Sequence, residues 1–144
     1  MKNNLWKSSK ELVKNSNLNN FEKFISKNYN LSFNNDYKKI CKWSIKNLGE
    51  FWKSVWNFGK IKGKLGKNFF ISSNIFYKSK FLHDSFLNYS ENLLKKDDDS
   101  KALTFISENG YKEYRSWKEL KNNTIKLSNW LKEINITKND RVVA

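Results

Sequence analysis

Apolar residues along this chain recur first at helical spacing and later in short alternating runs, and that change organises the reading. Phe21, Phe24 and Ile25 form an i, i+3, i+4 stripe between asparagine-rich flanks. Ser8 and Glu11 have the spacing of a capping box ahead of Leu12 and Val13, so the first 35 residues predict two short helices. From Asp36, a plausible N-cap, Tyr37, Ile40, Cys41 and Ser44 or Ile45 repeat at helical intervals. The next window, residues 43–58, reads W-S-I-K-N-L-G-E-F-W-K-S-V-W-N-F and is the most aromatic in the chain. Phe51 with Val55, and Trp52 with Trp56, are four apart, which stacks each pair along a helix side. Asn47 and Glu50 have capping-box spacing for that helix. A helix so bulky needs a large apolar surface to pack on.

Beyond it the period changes. Residues 60–67, K-I-K-G-K-L-G-K, form a glycine- and lysine-rich connection. Residues 68–71 and 75–77 read as short strands or extended segments. Asn88 caps a further helix with Glu91 at its third position. Asp97-Asp98-Asp99-Ser100 then breaks the pattern. Ala102 to Ile106 and Tyr111 to Arg115 read as two strands joined across the hairpin signal Asn109-Gly110. Ser116 and Glu119 make another capping box, and Trp117, Leu120, Thr124, Leu127, Leu131 and Ile134 line one face of the helix that follows. A turn at Asn139-Asp140 leads into Arg141-Val142-Val143-Ala144, the opening of an apolar strand. Hairpin, helix and strand are the first pieces of an α/β layer, and the chain reads as a fragment.

Charge locates a boundary. Residues 1–96 carry 19 basic and 6 acidic side chains, and residues 97–144 carry 9 and 8, so nearly all of the net +14 lies before the acidic stop. Such a surplus suggests nucleic acid. Yet 26 of the 28 basic residues are Lys, Asn occurs 22 times and Pro is absent, a composition that AT-rich codons produce by themselves. Nucleic-acid interfaces favour the bidentate guanidinium, and this chain has only Arg115 and Arg141. Genome bias is the stronger reading. No run of about 18 apolar residues and no apolar stretch after Met1 suggests a membrane span or leader, so a cytoplasmic protein without a membrane partner is expected. Cys41 is the single cysteine, which excludes an internal disulfide.

Candidate chemistry is sparse. The 60–67 loop could cradle phosphate, but it lacks closely spaced glycines, a Ser or Thr, and a helix immediately after it, so a solvated connection is expected. His83 beside Asp84 is a surface residue rather than a base with its orienting carboxylate, because adjacent side chains do not face each other. Cys41 reads as packed rather than reactive, the aromatic windows as core rather than base-stacking platforms, and Asp97-Asp98-Asp99 as a solvated linker rather than a cation site.

Several stretches together resemble the N-terminal part of the acetoacetyl-CoA synthetase (acetoacetate–CoA ligase) family, AMP-forming acyl-CoA synthetases of the adenylate-forming superfamily. They are Leu5-Trp6-Lys7, the run from Trp43-Ser44 to Asn57-Phe58, L-N-Y-S-E-N-L-L over residues 87–94, Ala102-Leu103, Glu108-Asn109-Gly110, Ser116-Trp117-Lys118-Glu119-Leu120, and residues 140–144. Leu48 departs from the family, which places Pro there, and residues 79–86 lack its usual Pro and Gly. The resemblance implies an α+β chain: a mostly helical cap domain over residues 1–96, then at 97–144 the first hairpin, helix and strand of the adenylate-forming large domain. It implies ATP, Mg²⁺ and CoA as cofactors and acetoacetate as substrate for the full-length enzyme. The phosphate loop, the nucleotide-holding residues and the catalytic lysine have no counterpart here. No catalytic, cofactor-binding or metal residue is therefore assigned, and this chain alone is expected to be inactive. A fragment of an acetate or propionate ligase, or a small basic nucleic-acid-binding module, are the alternatives.

Overall fold

The computed structural model describes residues 6–143; Leu5 and Ala144, which belong to the first and last of the resembling stretches, lie outside them. Two compact units emerge, Met1–Leu87 and Asn88–Ala144. Six α-helices and three two-stranded antiparallel sheets make up the described residues, a mixed α+β content. No helix among them is long and apolar enough to cross a membrane.

The first unit is built by its helix caps. Helix α1 (Lys10–Asn15) is capped by Ser9, whose Oγ accepts from the Leu12 amide at 3.2 Å, so the expected cap at Ser8 is one residue early. Ser16 closes α1 and opens α2 (Asn17–Tyr29): its hydroxyl donates to the Val13 carbonyl at 2.8 Å and accepts from the Asn19 amide at 3.2 Å. Asn30, in the left-handed region at φ 52°, ends α2. Asp36 caps α3 (Tyr37–Lys46) as expected, accepting from the Lys38 amide at 2.9 Å.

Helix α4 (Leu48–Phe58) follows directly, but the capping box expected at Asn47 and Glu50 does not form. The Asn47 amide instead donates back to the Trp43 carbonyl at 3.0 Å, and the Glu50 carboxylate is bound by Tyr29, on α2. A local cap has lost to two longer-range or backward bonds.

The core lies between α2 and α3. Ile25, Phe33 and Ile40 are buried, with Phe21, Phe24, Tyr29, Leu31 and Trp43 packed around them. Ile45 is 72% exposed, so Ile40 and half-buried Ser44 mark the inner side of α3. On α4 Trp56 is buried. Phe51 meets Phe21 at 6.0 Å, Trp43 at 6.4 Å and Trp52 at 5.4 Å between ring centroids. The ring contacts run on from Trp52 to Phe81 (5.8 Å) and from Phe81 to Phe70 (5.0 Å). The aromatic helix therefore packs within its own unit, joining the helices to a small sheet.

That sheet is β2 (Phe70–Ile71) against β3 (Lys80–Phe81). The 60–67 connection is not wholly irregular, because β1 (Gly63–Lys64) pairs with β4 (Phe86–Leu87). The extended segment expected at 75–77 is instead a 3₁₀ turn, Phe76–Lys78, since no strand offers it a ladder and local i→i+3 bonds take its place.

In the second unit Asn88 caps α5 (Tyr89–Leu93), accepting from the Glu91 amide at 3.1 Å. Strands β5 (Lys101–Ile106) and β6 (Lys112–Ser116) pair antiparallel with an irregularity between Lys101 and Leu103. The turn is tied by Ser107 N to the Tyr111 carbonyl and by Gly110 N to the Ser107 carbonyl; Gly110 supplies the left-handed residue at φ 85°. This is a three-residue loop with a glycine bulge rather than a two-residue turn. Helix α6 (Trp117–Glu133) has the expected capping box, with both the Ser116 and Glu119 bonds made. The acidic stop is tied to its start: Lys118 N donates to the Asp98 carbonyl, Trp117 N to the Ser100 carbonyl, and Lys121 pairs with Asp97. No side chain on α6 is buried, and Leu127, Trp130, Ile134, Val142 and Val143 are exposed. The strand expected at 141–144 does not form over 141–143; no described strand pairs with it.

Candidate functional site

Three places in the first unit gather polar or concave chemistry. One is a groove of about 370 Å³ between α2, α3 and α4, lined by Phe21, Ile40, Cys41, Phe51, Val55 and Phe58 among others. Its walls are the inward stripes of three amphipathic helices, so it is apolar for the reason that the core is. Cys41 is half-buried at its edge, as the packed reading expected. The Tyr37 hydroxyl beside it is raised above the ordinary tyrosine range by the Cys41 thiol. Ser44 donates to the Cys41 carbonyl at 2.9 Å rather than to its sulfur. The groove can accommodate an apolar side chain.

The second place is a hydrogen-bonded group between α2 and α4. The Tyr29 hydroxyl donates toward Glu50 Oε2 at 2.8 Å, and Ser54, 2% exposed, donates to the Glu50 carbonyl at 2.7 Å. Ser54 and Tyr29 also lie 3.1 Å apart, oxygen to oxygen. Burial raises the Tyr29 hydroxyl above its usual range; the Ser54 contact opposes this and the Glu50 carboxylate adds to it. These groups satisfy one another, so the cluster locks two helices together. Sequence reasoning missed it, because the partners are 21 and 25 residues apart with no local signature.

The third place answers the phosphate question. The Lys67 amide donates to Asp84 Oδ2 at 2.8 Å, the Asn68 amide to Asp84 Oδ1 at 3.0 Å, and the Gly66 amide to Ser85 Oγ at 2.9 Å. Two of the amides that a phosphate would use are thus taken by the Asp84 carboxylate and the third by the Ser85 hydroxyl. Those amides, Lys67 first and Asn68 next, hold Asp84 below the usual carboxylate range. Glycine is needed at 66 because a Cβ there would overlap the Asp84 carboxyl group. An incoming polyphosphate would have to displace Asp84 from the Lys67 and Asn68 amides.

The remaining candidates separate. His83 is exposed and its Nε2 lies 3.5 Å from Lys80 Nζ, while Asp84 turns to the loop, so the two neighbours do not act together. Asp97 and Asp98 are engaged by Lys121 and Lys96. Among the described residues no group of three or more His, Cys, Asp or Glu could hold a metal ion.

Comparison with known proteins supplies what the geometry does not. The chain is 30% identical over 140 residues, 97% of its length, to the acetoacetyl-coenzyme A synthetase of Rhizobium meliloti (strain 1021), and covers 21% of that protein. It is 35% identical over 91 residues to the acetoacetyl-CoA synthetase of Danio rerio, covering 61% of the chain and 13% of the relative. It is 23% identical over 126 residues to a malonamoyl-CoA synthetase of Penicillium aethiopicum, 82% of the chain and 17% of the relative. The chain thus spans about a fifth of the length of these relatives or less. No family model and no solved structure matches it.

Proposed function

We propose that this chain is the N-terminal portion of an acetoacetyl-CoA synthetase: residues 1–96 form the cap domain, and residues 97–144 begin the adenylate-forming large domain. The whole protein would join acetoacetate to CoA at the expense of ATP, releasing AMP and pyrophosphate. The observation that carries this reading is a similarity to acetoacetyl-CoA synthetases spanning 97% of the chain. The likeness to a malonamoyl-CoA synthetase supports acyl-CoA ligation more broadly.

The chain's own residues take a structural part. Apolar packing of α2, α3 and α4 and the Tyr29–Glu50–Ser54 bonds hold a rigid helical unit. The lysine-glycine loop is closed on Asp84, so no step of the reaction is routed through it. Alone, the 144-residue chain is expected to release no pyrophosphate from ATP, Mg²⁺, acetoacetate and CoA; release above background sinks the claim that the chemistry lies elsewhere. Reading the DNA beyond codon 144 tests the family. A frame encoding a Ser/Thr/Gly-rich loop supports it, and unrelated sequence after a genuine stop refutes it for this polypeptide.

A further inference from the structure

The two most exposed aromatic side chains among the described residues stand together at the tip of the β2–β3 hairpin. Phe76 is 84% and Tyr77 80% exposed, next to Ile75 at 43%. The tip is nevertheless closely tied. Lys78 N donates to the Ile75 carbonyl at 2.9 Å and Ser79 N to the Phe76 carbonyl at 3.0 Å. Ile75 N donates to Ser73 Oγ and Ser73 N to Ser79 Oγ, each at 3.2 Å. Its base is fixed by Phe81, which packs on Phe70 and, on α4, Trp52. Lys78 and Lys80 give it a polar margin.

A backbone held by its own bonds, carrying two rings in water, has most of the ordering cost of binding met beforehand. Aromatic side chains of this kind, ringed by polar residues, are where interface energy concentrates. Two copies of a chain carrying +14 repel, which disfavours a second copy as the occupant. The relatives extend about five times as far as the segment matched here, so on the reading given under Proposed function most of the synthetase lies outside this chain. We propose that the Ile75-Phe76-Tyr77 tip is a docking knob that seats in an apolar socket on the remaining part of the synthetase polypeptide.

The test co-expresses the chain with the bacterial acetoacetyl-CoA synthetase from which the matching segment has been deleted, then measures their affinity. The variants are F76S/Y77S and the milder F76A, each checked for an unchanged circular dichroism spectrum and urea midpoint. Wild-type chain is expected to co-purify with the deleted synthetase, or to recover it in soluble form, with the double variant at least ~10-fold weaker and F76A between them. Equal binding by wild type and variants overturns the knob and leaves the synthetase reading standing. No binding by any of them to a deleted synthetase that is soluble and shows a cooperative urea transition counts against that reading and takes the knob with it. A wild-type dimer in sedimentation that F76S/Y77S abolishes assigns the tip to a second copy and also overturns the proposal.

Discussion

Replacing Ile25 with alanine probes the packing that the first unit depends on. Ile25 is 0% exposed and contacts Phe33 and Ile40, with the rings of Phe21, Phe24, Tyr29 and Trp43 around the cluster. Ile-to-Ala changes in cores cost about 2–5 kcal/mol, depending on how far the site collapses. Collapse is hindered here because the surrounding rings are held by one another: Phe21 on Phe58 at 5.2 Å, Trp43 on Tyr29 at 5.3 Å and on Phe33 at 6.0 Å. A loss of about 3–4 kcal/mol follows. A unit of this size has roughly 4–13 kcal/mol in total, so the variant loses a large share of it. The assay is urea unfolding followed by near-ultraviolet circular dichroism, to which packed Trp43 and Trp56 contribute. Ile25→Val, at about 1 kcal/mol, is the graded control. A loss for I25A below about 1 kcal/mol, or no greater than for I25V, would refute the packing argument.

Asp84→Ala should release the 66–68 loop, seen as faster amide exchange at Lys67 and Asn68, the donors to its carboxylate. Because the folded carboxyl sits below its unfolded value, its contribution is present above about pH 4 and is lost as pH falls through the folded pKa. Wild-type protection at those two amides should fall on acidification, and D84A should show no such step; equal protection in both proteins contradicts the clamp. Ser116→Ala removes the cap of α6 and should cost about 1 kcal/mol, read as a lower urea midpoint and reduced helicity. An unchanged midpoint would show that the hairpin contacts, not the cap, start that helix.

Features written within a few residues of one another were legible in the chain. Asp36, Asn88 and Ser116 cap the helices they precede, because a side-chain oxygen and the amide two or three residues on are neighbours in any conformation that starts a helix. The stripe Phe21, Phe24, Ile25 faces the core, and Gly110 makes the hairpin turn for the same local reason. Phe33 was not legible. It lies in an asparagine-rich connection with no period of its own, yet it is 5% exposed because the loop folds its ring onto Ile25 and Trp43.

The sequence by itself determined the helices, the hairpin and the kinship with acyl-CoA synthetases, all of which rest on short-range pattern or residue order. Tertiary structure alone decided where competing bonds go. Glu50 had a local use as a cap and went to Tyr29; the loop amides had a conceivable use for phosphate and went to Asp84. Residues 75–77 and 141–143 have strand composition without being strands, since a ladder needs a second strand to accept it. In each case two groups far apart in sequence must meet before either outcome is defined, and spacing along the chain carries no record of that meeting.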